Sequence, residues 1–293
     1  MTLAARVGAA LNRPVDPAVT AFAARLAVEA GALAVLFYGS NLRTGSLEGV
    51  LDFYVLLPGE QVERIWPKVS YREWEIAGRT LRAKVATMAL ATFERAAKGQ
   101  SRDTTIWARF VQPSALAWAA DEDARREVIA AVAGGAQTAA RLAAALGPRE
   151  GSAEDFWRAL FRATYRAEFR VEKAGRENDI LSVNAAHFDG LLPIAWEAQG
   201  IAFQRRGERL APDLSQATRA AVLAWWRTRE RLGKPLNLLR LVKASTTFEG
   251  AARYAAWKVE RHTGVPVVLT PWREKHPVLA APAVLWRVWR ARR

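Results

Sequence analysis

Two short apolar runs on either side of a polar turn limit what this chain can fold into. Residues 32–38 form the first run, which ends at Gly39 and Ser40, and residues 50–57 form the second, which ends at Pro58. Runs of this length, closed by turn residues, are typical of buried β-strands. The sequence therefore predicts two neighbouring strands in the core of a sheet.

Further predicted elements complete a small mixed sheet around these two strands. Apolar residues at helical spacing predict a helix over residues 17–30 that ends at Gly31. Residues 72–76 and 80–88 favour extended structure and are separated by a turn at Gly78, which predicts a hairpin.

From Ser114 the pattern is mainly helical. Helices are predicted over residues 121–134 and 137–146. Another is predicted to begin near Ser152, which can cap it with Asp155 in the first turn. An α+β fold class follows.

Composition restricts the partners of the chain. It has 43 Lys and Arg residues against 29 Asp and Glu, a net charge of +14, and residues 236–293 hold eleven of the basic residues but only three of the acidic ones. This charge favours phosphate-rich partners, namely nucleic acid, nucleotides or anionic lipid. Cysteine is absent, so disulfides and thiolate metal sites are excluded, and a metal ion would need oxygen or imidazole ligands.

The apolar segments predict neither a secretion signal nor a membrane span. Asn12 and Arg13 interrupt the N-terminal apolar residues. The longest runs, residues 31–38 and 278–286, are shorter than the ~20 residues that a bilayer requires.

The glycine and serine after the first run, with an acid in the second, form the motif with the most chemical content. Gly39 lets phosphate groups approach the backbone, and the Ser40 hydroxyl can face them. Asp52 lies in an apolar run, where a carboxylate is costly to bury without a partner such as a metal ion. Mg²⁺ offsets the charge of a transferred nucleotidyl phosphate. The motif resembles the core of the nucleotidyltransferase superfamily associated with DNA polymerase β.

That superfamily usually places a second carboxylate two residues after the first, and here the position is Tyr54. Four other acids could supply the missing oxygen, and the sequence does not choose among them: Glu48, Glu73, Glu75 and Asp103.

Several segments extend the motif along most of the chain: residues 38–40, 51–53, 78–82, 165–170 and 186–188, and in the tail Arg240, Gly250, Arg253, Tyr254 and Lys258. Their order and spacing resemble the mitochondrial-type phosphatidate cytidylyltransferases, also called the translocator assembly and maintenance family. Two features depart from that family: the loop between Gly39 and Asp52 is shorter, and Arg82 stands where a lysine is common.

The resemblance implies an architecture and a reaction. Residues 1–115 are expected to form a polymerase β-like nucleotidyltransferase domain, residues 116–235 a mainly helical, winged-helix-like domain, and residues 236–293 a basic segment with an amphipathic, membrane-contacting helix. The expected reaction transfers CMP from CTP to phosphatidate with Mg²⁺, giving CDP-diacylglycerol and pyrophosphate at a membrane surface. The expected location is cytoplasmic and peripheral, on the inner leaflet of a bacterial cell membrane.

The same resemblance, with the residue pattern, implies roles for individual side chains. Asp52 is expected to hold the metal and, with Ser40 and Arg82, to be catalytic. The expected nucleotide-binding residues are Gly39, Ser40, Lys84, Glu168 and Arg170, and the expected ligands of the lipid phosphate are Arg240, Lys243, Arg253 and Lys258. Arg82 and Lys84 share a strand face, which either meets phosphates or is simply exposed. His187 is expected to be structural rather than catalytic.

The C-terminal residues predict an interfacial helix, because arginines flank a face that carries tryptophan. The residues expected to contact the membrane are Trp286, Arg287, Trp289 and Arg290. The alternative is an unstructured basic tail or a nucleic-acid arm.

Two other functions remain open from the sequence. A nucleotidyltransferase of this fold could modify RNA or protein instead of a lipid. Alternatively, the missing second carboxylate could mark a non-catalytic module that binds a nucleotide or phosphate.

Overall fold

A five-stranded mixed sheet organises the N-terminal part of the fold in the computed structural model, which describes residues 1–76, 78–167, 176–247, 249–275 and 286. Its strands are β1 (Ala34–Tyr38), β2 (Leu51–Leu57), β3 (Lys68–Ile76), β4 (Arg79–Ala89) and β5 (Ser114–Ala119). Their spatial order is β3-β4-β2-β1-β5, and β2 and β4 run parallel while the other pairs are antiparallel. The expected α+β class with a mixed sheet is confirmed, as are the first two strands and the hairpin.

Helices cover both faces of this sheet. They are α1 (Leu3–Leu11), α2 (Pro17–Ala30), α3 (Ser40–Thr44), α4 (Leu90–Ala97), α5 (Thr105–Phe110) and α6 (Glu122–Leu146). The expected helix over residues 17–30 is confirmed as α2. The Asp16 side chain caps it by accepting a hydrogen bond from the Ala18 N–H at 2.8 Å, and Gly31 ends it in the left-handed conformation.

Two hydrophobic clusters lie on opposite faces of the sheet. On one face α2 packs Phe22 against Phe53, with ring centroids 5.7 Å apart. On the other face Leu36 and Tyr54 belong to a larger cluster that includes Phe93 of α4 and residues of α1, α5 and α6. This second cluster continues into the helical part of the chain, so the sheet and the helices share one core.

Helix α6 is continuous, and the prediction of two helices between residues 121 and 146 was wrong. Gly134 and Gly135 lie inside it. A Cβ on Gly134 would lie 3.1 Å from the Lys98 side chain, which is a tight contact, whereas one on Gly135 would lie at an ordinary 3.6 Å from the Trp107 backbone. Gly134 therefore permits close packing, and neither glycine ends the helix.

By length and composition α6 is also the one helix among the described residues that could cross a membrane, but 78% of its apolar window is buried inside the protein. That burial is typical of the core helix of a globular fold.

Strand β5 was missed, since residues from Ser114 onward were predicted to be helical. It pairs with β1, and this tertiary pairing overrides the helix propensity of its alanines. The strand spans residues 115 and 116, the expected boundary between the first two regions.

The central part of the chain combines helices with a second, smaller sheet. Its elements are β6 (Gly151–Ser152), α7 (Ala153–Ala167), α8 (Arg176–Val183), α9 (Ala185–Phe188), α10 (Leu191–Glu197), β7 (Phe203–Arg206) and β8 (Arg209–Pro212). The sheet is antiparallel in the order β6-β8-β7. The expected cap is confirmed: the Ser152 N–H and hydroxyl donate to the Asp155 carboxylate at 2.9 and 2.8 Å.

Three further helices complete the described chain: α11 (Gln216–Thr247), α12 (Ala251–Thr263) and α13 (Pro271–Lys275). Helix α11 packs on α6 and α7 and reaches β3, and it runs across residue 235, the expected boundary of the third region. Helix α12 packs on β3. The C-terminal helices therefore lie against the first sheet.

Candidate active site

Four strands bring two predicted site residues, Asp52 and Lys84, into one row with two tyrosines. Tyr38 at the end of β1 pairs with Asp52 in β2, and Asp52 pairs with Lys84 in β4. Lys84 in turn pairs with Tyr71 in β3. Registered residues on neighbouring strands project from the same face of a sheet, so these four side chains lie side by side.

A glycine is required at position 39 because a side chain there would collide with Asp52. Its φ of 91° favours glycine, and a Cβ at this position would lie 2.8 Å from Asp52 Oδ2. The absence of a side chain therefore leaves this carboxylate oxygen accessible from the Gly39 side.

Asp52 is a half-buried carboxylate in β2. Among the described residues no hydrogen bond or ion pair engages it. Burial raises the pKa of Asp52, while the nearby positive charges of Lys84 and Arg109 oppose that rise. A cation supplied from outside the chain would stabilise the ionised form.

Lys84 faces both the acid and other cations. Loss of hydration is the main cause that lowers the pKa of Lys84, although its surface remains partly exposed. The charge of Asp52 raises this pKa, and the charges of Arg109 and Lys258 lower it further. Lys84 is therefore under the influence of one acid and two other cations, so positive charge exceeds negative charge around it.

Arg109 on α5 is a site residue that the sequence analysis missed. Its guanidinium lies 5.3 Å from the ring centroid of Tyr38 and 6.0 Å from that of Tyr54. Tyr54 is fully buried and contacts Phe110 edge-on, with centroids 5.2 Å apart. Position 54 thus belongs to the aromatic core, where a carboxylate would be costly to bury.

The loop between Gly39 and Asp52 is braced by Asn41. The buried Asn41 side chain donates to the Ser46 carbonyl at 2.8 Å and to the Glu48 carbonyl at 2.7 Å. This fixes the turn that follows Ser40, whose side chain is exposed beside the site. Asn41 was also missed, and it acts by shaping the loop.

Arg82 lies on the same strand face as Lys84 and joins a polar network. Its Nε lies 3.3 Å from a Glu73 carboxylate oxygen, which also accepts a hydrogen bond from the Tyr71 hydroxyl at 2.8 Å. The Arg82 guanidinium lies over the ring of Trp257, 5.6 Å from its centroid. Arg82 thus connects the sheet to α12.

Helix α12 adds two further cations to this side of the molecule. Lys258 Nζ lies 5.0 Å from the ring centroid of Tyr254, and the Arg261 guanidinium lies 5.2 Å from that of Trp257. An Nη atom of Arg261 also lies 3.2 Å from the position that a Cβ on Gly49 would take. Helix α12 therefore extends from Lys84 to the loop between Gly39 and Asp52.

Arg240 and Lys243, expected to bind the lipid phosphate, both contact protein groups. Arg240 forms an ion pair with the buried Asp103 and donates to the Trp66 carbonyl at 2.9 Å. Lys243 donates to the Ile65 carbonyl. The other two expected ligands, Arg253 and Lys258, are exposed on α12.

The structure also locates the acids considered as a second metal ligand. Asp103 bonds to Arg240, and Glu73 bonds to Arg82. The other two acids are exposed, namely Glu48 and Glu75. Within the described ranges no group of three or more His, Asp or Glu side chains is placed to hold a metal ion.

His187 has the geometry of a structural residue. Its Nε2–H donates to the Val111 carbonyl at 2.9 Å, just after α5. Burial lowers the pKa of His187 to about 4, so the ring is neutral near pH 7. It links the central helices to the helix that carries Arg109.

Some predicted residues lie outside the described part of the chain: Glu168, Arg170, Arg287, Trp289 and Arg290. Their expected roles in nucleotide and membrane binding stay predictions. Trp286 is described and has 54% of its surface exposed.

No protein-family model matches the chain, and a search of curated proteins finds no match.

Proposed function

We propose that this protein is a nucleotidyltransferase that transfers CMP from CTP to phosphatidate at a membrane surface, releasing pyrophosphate. The observation that carries the proposal is Asp52, a half-buried carboxylate that has no hydrogen-bond or ion-pair partner among the described residues and lies near Gly39, Lys84 and Arg109. Such a site suits a phosphate-rich substrate that arrives with a divalent cation, because the cations meet phosphate oxygens and the carboxylate meets the ion.

The residues present fit Mg²⁺ delivered with a nucleotide. Mg²⁺ is commonly bound by one or two carboxylates together with substrate phosphates. Asp52 would hold it, since the missing Cβ of Gly39 leaves Oδ2 approachable. The ion would supply charge neutralisation for the phosphates.

The side chains have simple roles in the proposed reaction. A terminal oxygen of phosphatidate forms a bond to the α-phosphorus of CTP, the bond from that phosphorus to the β-phosphate bridging oxygen breaks, and pyrophosphate leaves. The attacking oxygen is already anionic, so no general base is needed, and the structural role of His187 agrees with this. Lys84 and Arg109 would orient the phosphates and offset their charge.

The finer architecture is also a proposal. The mixed sheet with Gly39 at the end of β1 and Asp52 in β2 supports a polymerase β-like nucleotidyltransferase domain. The central helices with their three-stranded antiparallel sheet support a winged-helix-like domain. The peripheral location at the inner leaflet of a bacterial cell membrane rests on the basic C-terminal region.

The proposal is tested by offering purified protein α-labelled CTP and Mg²⁺ with three acceptors in parallel: phosphatidate vesicles, an RNA oligonucleotide and a protein mixture. We expect label only in the lipid, as CDP-diacylglycerol. Asp52→Asn should abolish this labelling while the protein stays folded.

Label in RNA or in protein would show that this macromolecule, and not phosphatidate, is the acceptor. CTP binding without transfer to any acceptor would support a non-catalytic module. Full activity of Asp52→Asn would reject the role of this carboxylate. An exposed acid far from the site, Glu127 on α6, provides the matched control as Glu127→Gln.

A further inference from the structure

Helix α12 presents an ordered set of aromatic and cationic side chains beside the proposed site. The set, named here the α12 shelf, consists of Tyr254, Trp257, Lys258 and Arg261. Tyr254 and Trp257 are nearly parallel, with centroids 6.3 Å apart and planes at 23°. Helical spacing places these residues on one side of the helix.

The shelf is fixed to the sheet by several contacts with β3. The Tyr71 N–H donates to the Glu249 carbonyl at 2.8 Å, and Arg72 pairs with the Glu249 carboxylate at 3.1 Å. Gly250 lies so close to β3 that a Cβ there would come within 2.8 Å of the Tyr71 carbonyl oxygen. The ring of Tyr71 packs on Tyr254, with centroids 5.4 Å apart. The helix therefore has a defined position relative to the row that contains Asp52.

The rings of the shelf support cations rather than a nucleobase. Guanidinium groups of Arg82 and Arg261 both lie over Trp257, and the Lys258 ammonium lies over Tyr254. A base that stacked on the same rings would have to displace these groups. Held in this way, the cations can direct their N–H groups at an anion.

The shelf has more positive charge than its neighbours neutralise. Arg82 pairs with Glu73, but neither Lys258 nor Arg261 forms an ion pair with any described residue. A phosphomonoester with two negative charges and three terminal oxygens matches this set better than a phosphodiester with one charge.

Exposed apolar side chains continue from the shelf toward the C-terminus. Val268 has 65% of its surface exposed and Trp272 has 54%, the same fraction as Trp286. Tryptophan favours the headgroup region of a bilayer. Helix α13, which carries Trp272, packs on α12, so an exposed tryptophan suited to the headgroup region lies on the helix next to the shelf.

We propose that the α12 shelf, together with Arg82 of β4, binds the phosphomonoester headgroup of the lipid acceptor, with Lys258, Arg261 and Arg82 as the ligands. This rests on the proposed function and assigns the two substrates to different places. The nucleotide lies against Gly39, Asp52 and Lys84, and the lipid phosphate lies between Lys84 and α12.

The test compares the wild type with Lys258→Gln/Arg261→Gln, the conservative Arg261→Lys, and Arg149→Gln as a control. Arg149 is an exposed arginine in the connection after α6, away from the shelf. Steady-state kinetics with phosphatidate in phosphatidylcholine vesicles measures KM for each substrate. Flotation measures binding to vesicles that contain phosphatidate or phosphatidylglycerol.

We expect the double variant to raise KM for phosphatidate by about a hundredfold, roughly tenfold for each lost contact. KM for CTP should stay within about twofold, as expected for a ligand of the acceptor alone. Arg261→Lys should fall between the wild type and the double variant, and Arg149→Gln should match the wild type. In flotation the double variant should lose the preference for phosphatidate over phosphatidylglycerol.

An unchanged KM for phosphatidate would overturn the assignment, and so would an equal rise in both KM values, which would assign the shelf to the nucleotide. If the wild type makes no CDP-diacylglycerol, the proposed function fails, and flotation alone decides on the shelf. In that case, equal preference for phosphatidate in the wild type and the double variant would overturn the assignment of the shelf. Loss of the preference in the double variant would support the assignment.

Discussion

At the residue scale, the candidate site depends on a glycine at position 39 and on the carboxylate of Asp52. Gly39 has no side chain where a Cβ would meet the Asp52 carboxylate, and Asp52 has no partner among the described residues. The sequence predicted both residues because a turn glycine and an acid in an apolar run are local signals. It could not predict Arg109 or Asn41, whose positions depend on tertiary packing of α5 and on the fold of a loop.

Gly39→Ala tests the close approach. The new Cβ would displace the Asp52 carboxylate, and a misplacement of about 1 Å in a catalytic group can lower turnover about a hundredfold. Gly31→Ala is the matched control, because Gly31 also has a positive φ but has open space around the position of its Cβ. Both variants should be destabilised by about 1 kcal/mol or more. Only Gly39→Ala should lose nucleotidyl transfer; equal activity of the two variants would contradict the role of the contact.

His187 predicts a dependence of stability on pH. Its pKa is lowered from 6.5 to about 4 in the folded protein, chiefly by burial, with the charges of Arg13 and Arg6 contributing. As the pH falls below 6.5 the unfolded state takes up the proton first, so stability is lost between pH 6.5 and 4. At pH 5 the loss is about 2 kcal/mol.

Urea unfolding at pH 7 and pH 5 measures this loss, and His187→Gln provides the comparison. Glutamine does not titrate and can still donate to the Val111 carbonyl. The variant should lose about 2 kcal/mol less than the wild type over this interval. Equal losses would show that His187 does not retain its neutral form on folding.

At the element scale, helix α11 holds together the loops that support the site. Arg229, only 9% exposed, donates to the carbonyls of Gly99 and Ser101, each at 2.8 Å. Arg240 pairs with Asp103, whose carboxylate also accepts from the Thr105 N–H at the start of α5. Helix α11 therefore positions the segment that leads to Arg109.

Arg240→Gln tests whether this arginine is structural. Removing one partner leaves the buried Asp103 charge unpaired, so the free energy of unfolding should fall by about 3 kcal/mol. Asp103→Asn in the same chain should restore part of that loss, because the unpaired charge is gone. Arg231→Gln, an exposed position on the same helix, should change stability by less than about 0.5 kcal/mol. If Arg240→Gln leaves stability unchanged and raises KM for phosphatidate, Arg240 is a ligand of the lipid phosphate rather than a structural residue.

The helices and strands were predicted correctly where short-range sequence signals mark their ends. The prediction failed where contacts between distant segments determine the secondary structure. Asp16 and Gly31 mark the ends of α2, and Ser152 with Asp155 marks the start of α7. Strand β5 looks helical by composition and is extended only because β1 pairs with it. The two glycines inside α6 resemble a helix end, but the helix continues through them and Gly134 packs closely on Lys98.

At the scale of the whole molecule, the basic C-terminal region predicts reversible membrane attachment. Residues 278–293 carry four arginines, and each contributes roughly 1 kcal/mol near an anionic leaflet. Their deletion should weaken binding to anionic vesicles by roughly a thousandfold and reduce the salt dependence of binding.

Turnover on a soluble, short-chain phosphatidate should persist after this deletion, because the residues of the proposed site all precede residue 278. Replacing the four arginines with lysines keeps the charge and should retain vesicle binding. Unchanged binding after deletion would place the membrane contact elsewhere.

The fold class could be predicted from the sequence because the strand and helix signals are strong, while the assignment of a reaction depended on a resemblance spread along the chain. The arrangement of α11 and α12 against β3 could not be predicted, because it depends on contacts between distant segments, such as the backbone bond from Tyr71 to Glu249. Those contacts distinguish an arginine that pairs with a buried acid, such as Arg240, from an exposed cation such as Lys258.

The most direct measurement follows each phosphate of CTP separately. Wild-type protein is incubated with phosphatidate vesicles, Mg²⁺ and CTP labelled at either the α- or the γ-phosphate. The organic phase is counted, and the aqueous phase is separated into CTP and pyrophosphate before counting. The account predicts that the α-label enters the lipid phase, that an equal amount of γ-labelled pyrophosphate forms in water, and that Asp52→Asn abolishes the formation of both products. Transfer of the γ-label to the lipid, or no transfer of either label under conditions where CTP binds, would contradict it.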